Sequence, residues 1–143
     1  LILADALAYA SKHLKPTRLV DLATLTGAML IALGHEVTGM MASDDTLAED
    51  LLKAGEKSGE RLCRLPLIPE LRADLKSDIA DINNVGGREA GSIKAALFLQ
   101  EFVGDVPWAH LDIAGSAYRP AEKGYLPKHA TGVGVRLLMD LLA

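Results

Sequence analysis

The chain has one cysteine, Cys63, in 143 residues, so no internal disulfide framework can form. Its neighbours Leu62 and Leu65 suggest a small buried residue rather than a nucleophile. A reducing cytoplasm is the natural compartment for such a sequence. No apolar run is long enough to cross a bilayer. The N-terminus has neither the basic region nor the cleavage-site pattern of a secretory signal, so no signal peptide is expected. Basic clusters are missing too. With a net charge of −4, this argues against a dedicated nucleic-acid surface. No internal repeat or low-complexity segment is present.

What is present suits one domain with a real core: 50% apolar and 24% charged residues. The organising stretch is Leu19 to Gly34, LVDLATLTGAMLIALG. Leu19 to Ala23 is an apolar run of strand length, and a run this continuous suits a central strand covered on both faces. Ala28 to Leu33 is a second apolar run, built of helix formers. Thr24-Leu25-Thr26-Gly27 lies between them. A strand turning sharply into a helix leaves first-turn N–H groups without partners, and these can hold a carbonyl or an anion. Thr26 can cap the helix, and Gly27 lets another backbone come close. Read more simply, this is a strand–helix corner that binds nothing.

Around it, apolar runs and helical patterns alternate. Leu1 to Leu14 reads as a helix buried on most sides, stopped by Lys15-Pro16. Val37 to Ala42 is a strand with Met40 and Met41 in the core. Ser43-Asp44-Asp45 opens a helix over Thr46 to Lys57, which Ser58-Gly59 closes. Arg61 to Leu67 is extended, and Glu70 to Leu75 adds a helical turn or two. Lys76 to Ser92 is a long glycine-rich loop, a frequent place for function. Ile93 to Val103 reads as an amphipathic helix with Ile93, Ala96, Leu97 and Phe102 inward. Trp108 to Gly115 is a buried strand with a tight end. Ser116 to Ala130 is irregular, and Val133 to Leu142 is a closing helix with Leu137, Leu138 and Leu141 inward. The pattern predicts an α/β three-layer sandwich: a mostly parallel or mixed sheet with helices on both faces. Ligands in such sheets collect beyond the carboxyl ends of strands, so the corner at Thr24–Gly27 and the turn at Ala114-Gly115 could meet there.

Several polar groups invite a chemical reading. Asp21 interrupts a strand; a satisfied structural acid is the simpler account. Asp78 and Asp81 could pair at a metal, yet turn and capping chemistry explains paired acids in a loop. His110 and Asp112 alternate on one strand and so share a face, but without a third group they read as a hydrogen-bonded structural pair. Arg119, Lys123, Lys128 and His129 give the irregular stretch positive charge, suited to solvent or, less simply, to a carboxylate.

Three segments, LILADALAYA at the start, ATLTGAMLIALG at the corner and WAHLDIAG at Trp108 to Gly115, occur in an order that resembles the C-terminal catalytic domain of the leucyl aminopeptidases, the two-metal cytosol aminopeptidase family. The resemblance covers essentially the whole chain, so residues 1–143 are expected to be the C-terminal part of that domain. It implies a metal-dependent enzyme that removes leucine-like residues from peptide N-termini. The corner would lie along the substrate backbone, with Thr24 beside it, a main-chain carbonyl from Leu25 and an N–H from Gly27. Val85 would line the site for the residue after the scissile bond. Ala114 and Ala117 would form part of the pocket for the first side chain.

The resemblance also implies what this chain lacks. In the family a run Asn-Thr-Asp-Ala-Glu-Gly-Arg, carrying two metal ligands and the catalytic arginine, directly precedes the segment like Leu1 to Leu7. The expected chain is therefore a piece of something longer, with no catalytic or metal-ligating residue of its own and no activity alone. Two divalent ions, zinc or manganese, and a bicarbonate are implied for the complete enzyme, with none bound here. A peptide substrate, a homo-hexamer and a cytoplasmic location are implied as well. A non-catalytic scaffold or proteolytic fragment is one alternative. A DNA-binding regulatory role, as in some relatives, is the other, and the negative charge disfavours it.

Overall fold

The computed structural model describes residues 1–126 and 128–143. Four strands form one sheet in the order β1 (Leu19–Ala23), β4 (Trp108–Asp112), β2 (Thr38–Ala42), β3 (Leu62–Arg64). β1 runs parallel to β4, β2 antiparallel to β4 and β3 parallel to β2. A second, two-stranded sheet pairs β5 (Tyr118–Arg119) with β6 (His129–Ala130). Helices α1 (Ile2–Tyr9), α2 (Gly27–Leu33) and α4 (Gly91–Gln100) pack on one face of the large sheet, while α3 (Asp45–Ser58) and α5 (Val135–Leu142) pack on the other. The mixed three-layer sandwich expected from the sequence is the architecture observed. Among the described residues no helix is long and apolar enough to cross a membrane.

The strand period of two sorts the core into two clusters. Trp108 and Met41 face α2 and α4, where Met29, Ala96, Leu97 and Phe98 meet them. Ala109, Leu111, Met40 and Ala42 face α3 and α5, against Leu47, Leu51 and Leu137. Both central strands, β2 and β4, are buried at every residue, as strands covered on both faces should be.

Local chemistry fixes the helix ends. Met29 N–H donates to the Thr26 hydroxyl (3.2 Å), which caps α2. Leu47 N–H donates to Asp44 Oδ1 (2.8 Å) at the start of α3, and Gly59 ends it in the left-handed region. The last helix, α5, has no cap from its own sequence. It borrows one: the buried Glu60 carboxylate accepts from Gly134 N–H (2.8 Å), Leu137 N–H (3.4 Å) and Arg136 Nε–H (3.2 Å). A negative charge at a helix N-terminus also meets the positive end of the helix dipole.

Several expectations need correction. β1 is an edge strand here, bonded only to β4, so its residues other than Asp21 are half-buried. The first helix is largely exposed, with only Ala4 and Leu7 buried, because α4 covers one side of it; Leu1, Ile2, Tyr9 and Leu14 face outward. Its last turn, Ala10–Leu14, is π-helical and ends at Lys15 in the left-handed region. Cys63 is half-buried, since β3 is the other edge of the sheet. The helix expected from Ile93 begins at Gly91 and is buried almost all round rather than amphipathic, because it lies between the sheet, α1, α2 and the 3-10 turn Pro69–Leu75.

The irregular stretch from Ser116 contains the β5–β6 pair and does bind a carboxylate, that of Glu36. Arg119 grips it with both terminal nitrogens (3.0 and 3.4 Å), and Lys123 adds a third contact (3.2 Å). The hydrogen bonds from Arg119, then from Lys123, hold the Glu36 carboxyl down from 4.5 to about 2.

Two outcomes follow. Glu60→Ala leaves three donors at the start of α5 unanswered and lowers stability by about 2 kcal/mol in urea denaturation. Because the folded pKa of Glu36 is depressed, its contribution is complete above about pH 4.5 and disappears as pH falls through about 2. Melting temperature should therefore fall less steeply across that window in Glu36→Gln than in the wild type. Parallel melting curves would show that the pair contributes nothing.

Candidate functional site

β1 and β4 are parallel and in register from Leu19↔Trp108 to Ala23↔Asp112, so both leave the sheet at the same level. The ladder extends one step further, from Ile113 N–H to the Ala23 carbonyl (2.9 Å). The corner Thr24–Gly27 and the turn after Asp112 therefore lie side by side at the carboxyl ends of neighbouring strands.

Asp112 joins them. Its carboxylate is 1% exposed and accepts from the main chain of both segments, Leu25 N–H at 3.2 Å and Ala114 N–H at 3.1 Å. Its other oxygen accepts from the Thr26 hydroxyl (2.7 Å). Thr26 has thereby spent its one proton, so Ser92 must donate to it across 2.6 Å. A line of bonds thus runs from α4 through the corner to the end of β4. On the far side of the turn the backbones of Gly115 and Gly34 meet so closely that a Cβ on Gly115 would overlap the Gly34 carbonyl. His35 Nδ1–H donates to the Gly115 carbonyl (2.8 Å), fixing the end of α2 to the same turn.

With these groups committed, some main-chain groups of the corner stay free. The Leu25 carbonyl and the Gly27 N–H have no partner among the described residues. Leu25 and Gly27 are exposed, and open space lies in front of Gly27 where a Cβ would stand.

A cleft of about 320 Å³ opens beside the corner, at the small end of the range for ligand sites. Leu25 and Thr26 form one wall, and Val85 and Gly87 of the long loop form another; α4 contributes Lys94 and Phe98. Of the six candidate residues, the cleft brings together Leu25 and Val85. Thr24 and Gly27 flank Leu25 on the exposed corner. Ala114 is held next to the corner through Asp112 and packs partly against the core around Met29 and Trp108. Ala117 is half-buried beyond the turn, its N–H on Ile113 and its carbonyl taken by Thr131, and it does not line the cleft.

His110 and Asp112 share a face, as alternation requires, but each has its own partner. His110 Nδ1–H and Trp108 Nε1–H donate to the two oxygens of Asp21 (2.6 and 2.7 Å), so Asp21 is a satisfied structural acid at the middle of β1. Asp78 and Asp81 are exposed in their loop. Among the described residues no group of three or more His, Cys, Asp or Glu side chains could hold a metal.

Lys94 went unnoticed in the sequence. It is 3% exposed, lines the cleft and pairs with Asp74 (3.1 Å). A signal existed: it is the one charge in the run Ala90 to Gln100.

Residues 1–139 match the cytosol aminopeptidase family, catalytic domain. The chain is 59% identical over 143 residues to a probable cytosol aminopeptidase of Protochlamydia amoebophila, covering 99% of this chain and 29% of that protein. It is 55% identical over 142 residues to one of Geobacter sp. (strain M21), with the same coverage. Among solved structures, the bottromycin maturation enzyme BotP matches with a TM-score of 0.94 at 45% identity, over 99% of this chain and 32% of that one. A mutant of tomato leucine aminopeptidase matches with a TM-score of 0.91 at 42% identity, over 98% and 27%. The chain thus spans under a third of the length of these relatives.

If Asp112 ties the corner to the turn, Asp112→Ala should cost about 3 kcal/mol in urea denaturation, because it leaves the Leu25 and Ala114 N–H groups without an acceptor. Thr26→Val should cost less, about 1–2 kcal/mol, since it leaves the carboxylate its two main-chain donors. Equal stability of wild type and Asp112→Ala would refute that role.

Proposed function

The chain belongs to the cytosol aminopeptidase family, and we propose that it is the substrate-cradling part of a metal-dependent aminopeptidase that removes leucine-like residues from peptide N-termini. In this reading residues 1–143 are the C-terminal part of the catalytic domain. One observation carries it: the parallel register of β1 and β4 sets two tight turns side by side, with a free carbonyl at Leu25 and a free N–H at Gly27 beside an apolar cleft.

An extended peptide presents alternating carbonyl and N–H groups, so the carbonyl of Leu25 and the N–H of Gly27 can bond its main chain as a short added strand. Thr24 flanks that contact. Small Ala114, beside the corner, leaves room for a leucine-sized first side chain; Ala117, beyond the turn, is assigned to the same pocket by the family resemblance. Val85, across the cleft, meets the residue after the scissile bond. Rigid support matters here, because a site 1 Å out of place loses much of its rate. Asp112, Thr26 and Ser92 give that support.

In this reading the described residues supply no metal ligand. The Asp112 oxygens are spent on the corner, and those of Asp21 on Trp108 and His110. The same reading assigns the two divalent ions, zinc or manganese, and any bicarbonate to residues outside this chain, and no catalytic step to residues within it. BotP has been solved in complex with Mn, which supports manganese as one candidate. Assembly as a homo-hexamer in the cytoplasm belongs to the same reading.

The test is hydrolysis of leucyl anilide with added manganese or zinc. The full-length protein should turn it over and lose activity to a chelator, while the purified 143-residue chain should show none. Turnover by the purified chain would show that the chemistry resides here and overturn the division of labour.

A further inference from the structure

We propose that Lys94 recognises a carboxylate carried by the residue that follows the scissile bond; this deepens the aminopeptidase reading and rests on it. The starting point is an incompletely satisfied buried charge. Lys94 is 3% exposed, and its ammonium has three protons to donate. One acceptor answers it among the described residues, Asp74 Oδ2 at 3.1 Å, on a side chain that is itself 50% exposed. Unspent donors on a buried ammonium favour any acceptor that can reach them.

The cleft supplies the route. Lys94 lines it together with Val85, Gly86 and Gly87. The two glycines keep side chains off the lysine. A Cβ on Gly86 would stand 3.0 Å from Lys94 Cδ and 3.1 Å from Leu75 Cδ2, so only a glycine lies flush there. A Cβ on Gly87, which sits at φ +83, would point at the ammonium from 3.6 Å. A bound group can therefore approach the ammonium from the position a side chain would otherwise fill. Val85 belongs to the same loop, so the leaving residue is the part of the peptide nearest Lys94. An anion gains more than a neutral amide from a charged donor in a partly dry cleft.

The carboxylate has two sources, the C-terminus of a dipeptide or an acidic side chain. Two substrate pairs separate them in the full-length enzyme: leucyl-glycine against leucyl-glycinamide, and leucyl-aspartyl amide against leucyl-asparaginyl amide. In at least one pair the charged member should have a kcat/KM about tenfold higher, mainly through KM. In Lys94→Met that ratio should fall to about one. A merely structural role would lower both members alike and keep the ratio, which would overturn the proposal. Equal kcat/KM within both pairs in the wild type would also overturn it, whether or not the variant folds. Failure of the wild type to hydrolyse leucyl anilide would instead fell the aminopeptidase reading, and this proposal with it.

Discussion

A carboxylate withdrawn from water must be answered on every side or it destabilises the fold. Asp112 is answered three times, by Leu25 N–H, Ala114 N–H and the Thr26 hydroxyl. These donors lie on two segments nearly 90 residues apart in sequence, so satisfying one charge also fixes the relative position of two turns. Neither segment has a regular ladder partner at this point, and main-chain donors there would otherwise need water. The same constraint sets which groups stay free among the described residues: with the Leu25 N–H committed, its carbonyl remains available, and so does the Gly27 N–H.

A second buried carboxylate works inside the sheet. Asp21 binds Trp108 and His110 of the neighbouring strand, so β1 is held to β4 by side chains as well as by its ladder. Leu19, Val20 and Leu22 pack against the two core clusters, but as residues of an edge strand they are only half-buried. The cross-strand bonds add to that packing, and they lie half a strand back from the corner that depends on β1 staying in register.

Much of this was legible in the residues. Apolar runs located β1 on its bounds and β2 to within a residue, but ran three residues past the ends of β3 and β4 and gave no sign of β5 and β6, while capping chemistry at Thr26, Asp44 and Gly59 marked helix ends correctly. Alternation put His110 and Asp112 on one face, yet sequence alone paired them with each other, because partners 86 and 89 positions away leave no local mark. The burial of the first helix and the central place of β1 were misread for a related reason: an apolar run reports that a surface wants cover, not whether this stretch of chain supplies it. Glycines at 86 and 87 looked like loop punctuation, and only the packing beneath them shows that one must be flat against Lys94. The free main-chain groups at Leu25 and Gly27 are a matter of what does not bond to what, which no residue pattern encodes.

The cap that Glu60 lends to α5 has a bearing on how the chain comes together. Gly134 reaches that carboxylate from 74 positions away, and α5 offers no side chain of its own to start its first turn. A loop of that length has to close before the bond can form, and closure entropy is lost before the contact returns anything. Helix nucleation is itself unfavourable for so short a segment. The cap of α5 thus depends on the layer beneath it, and α3 with its terminating turn serves as the template against which that helix is held.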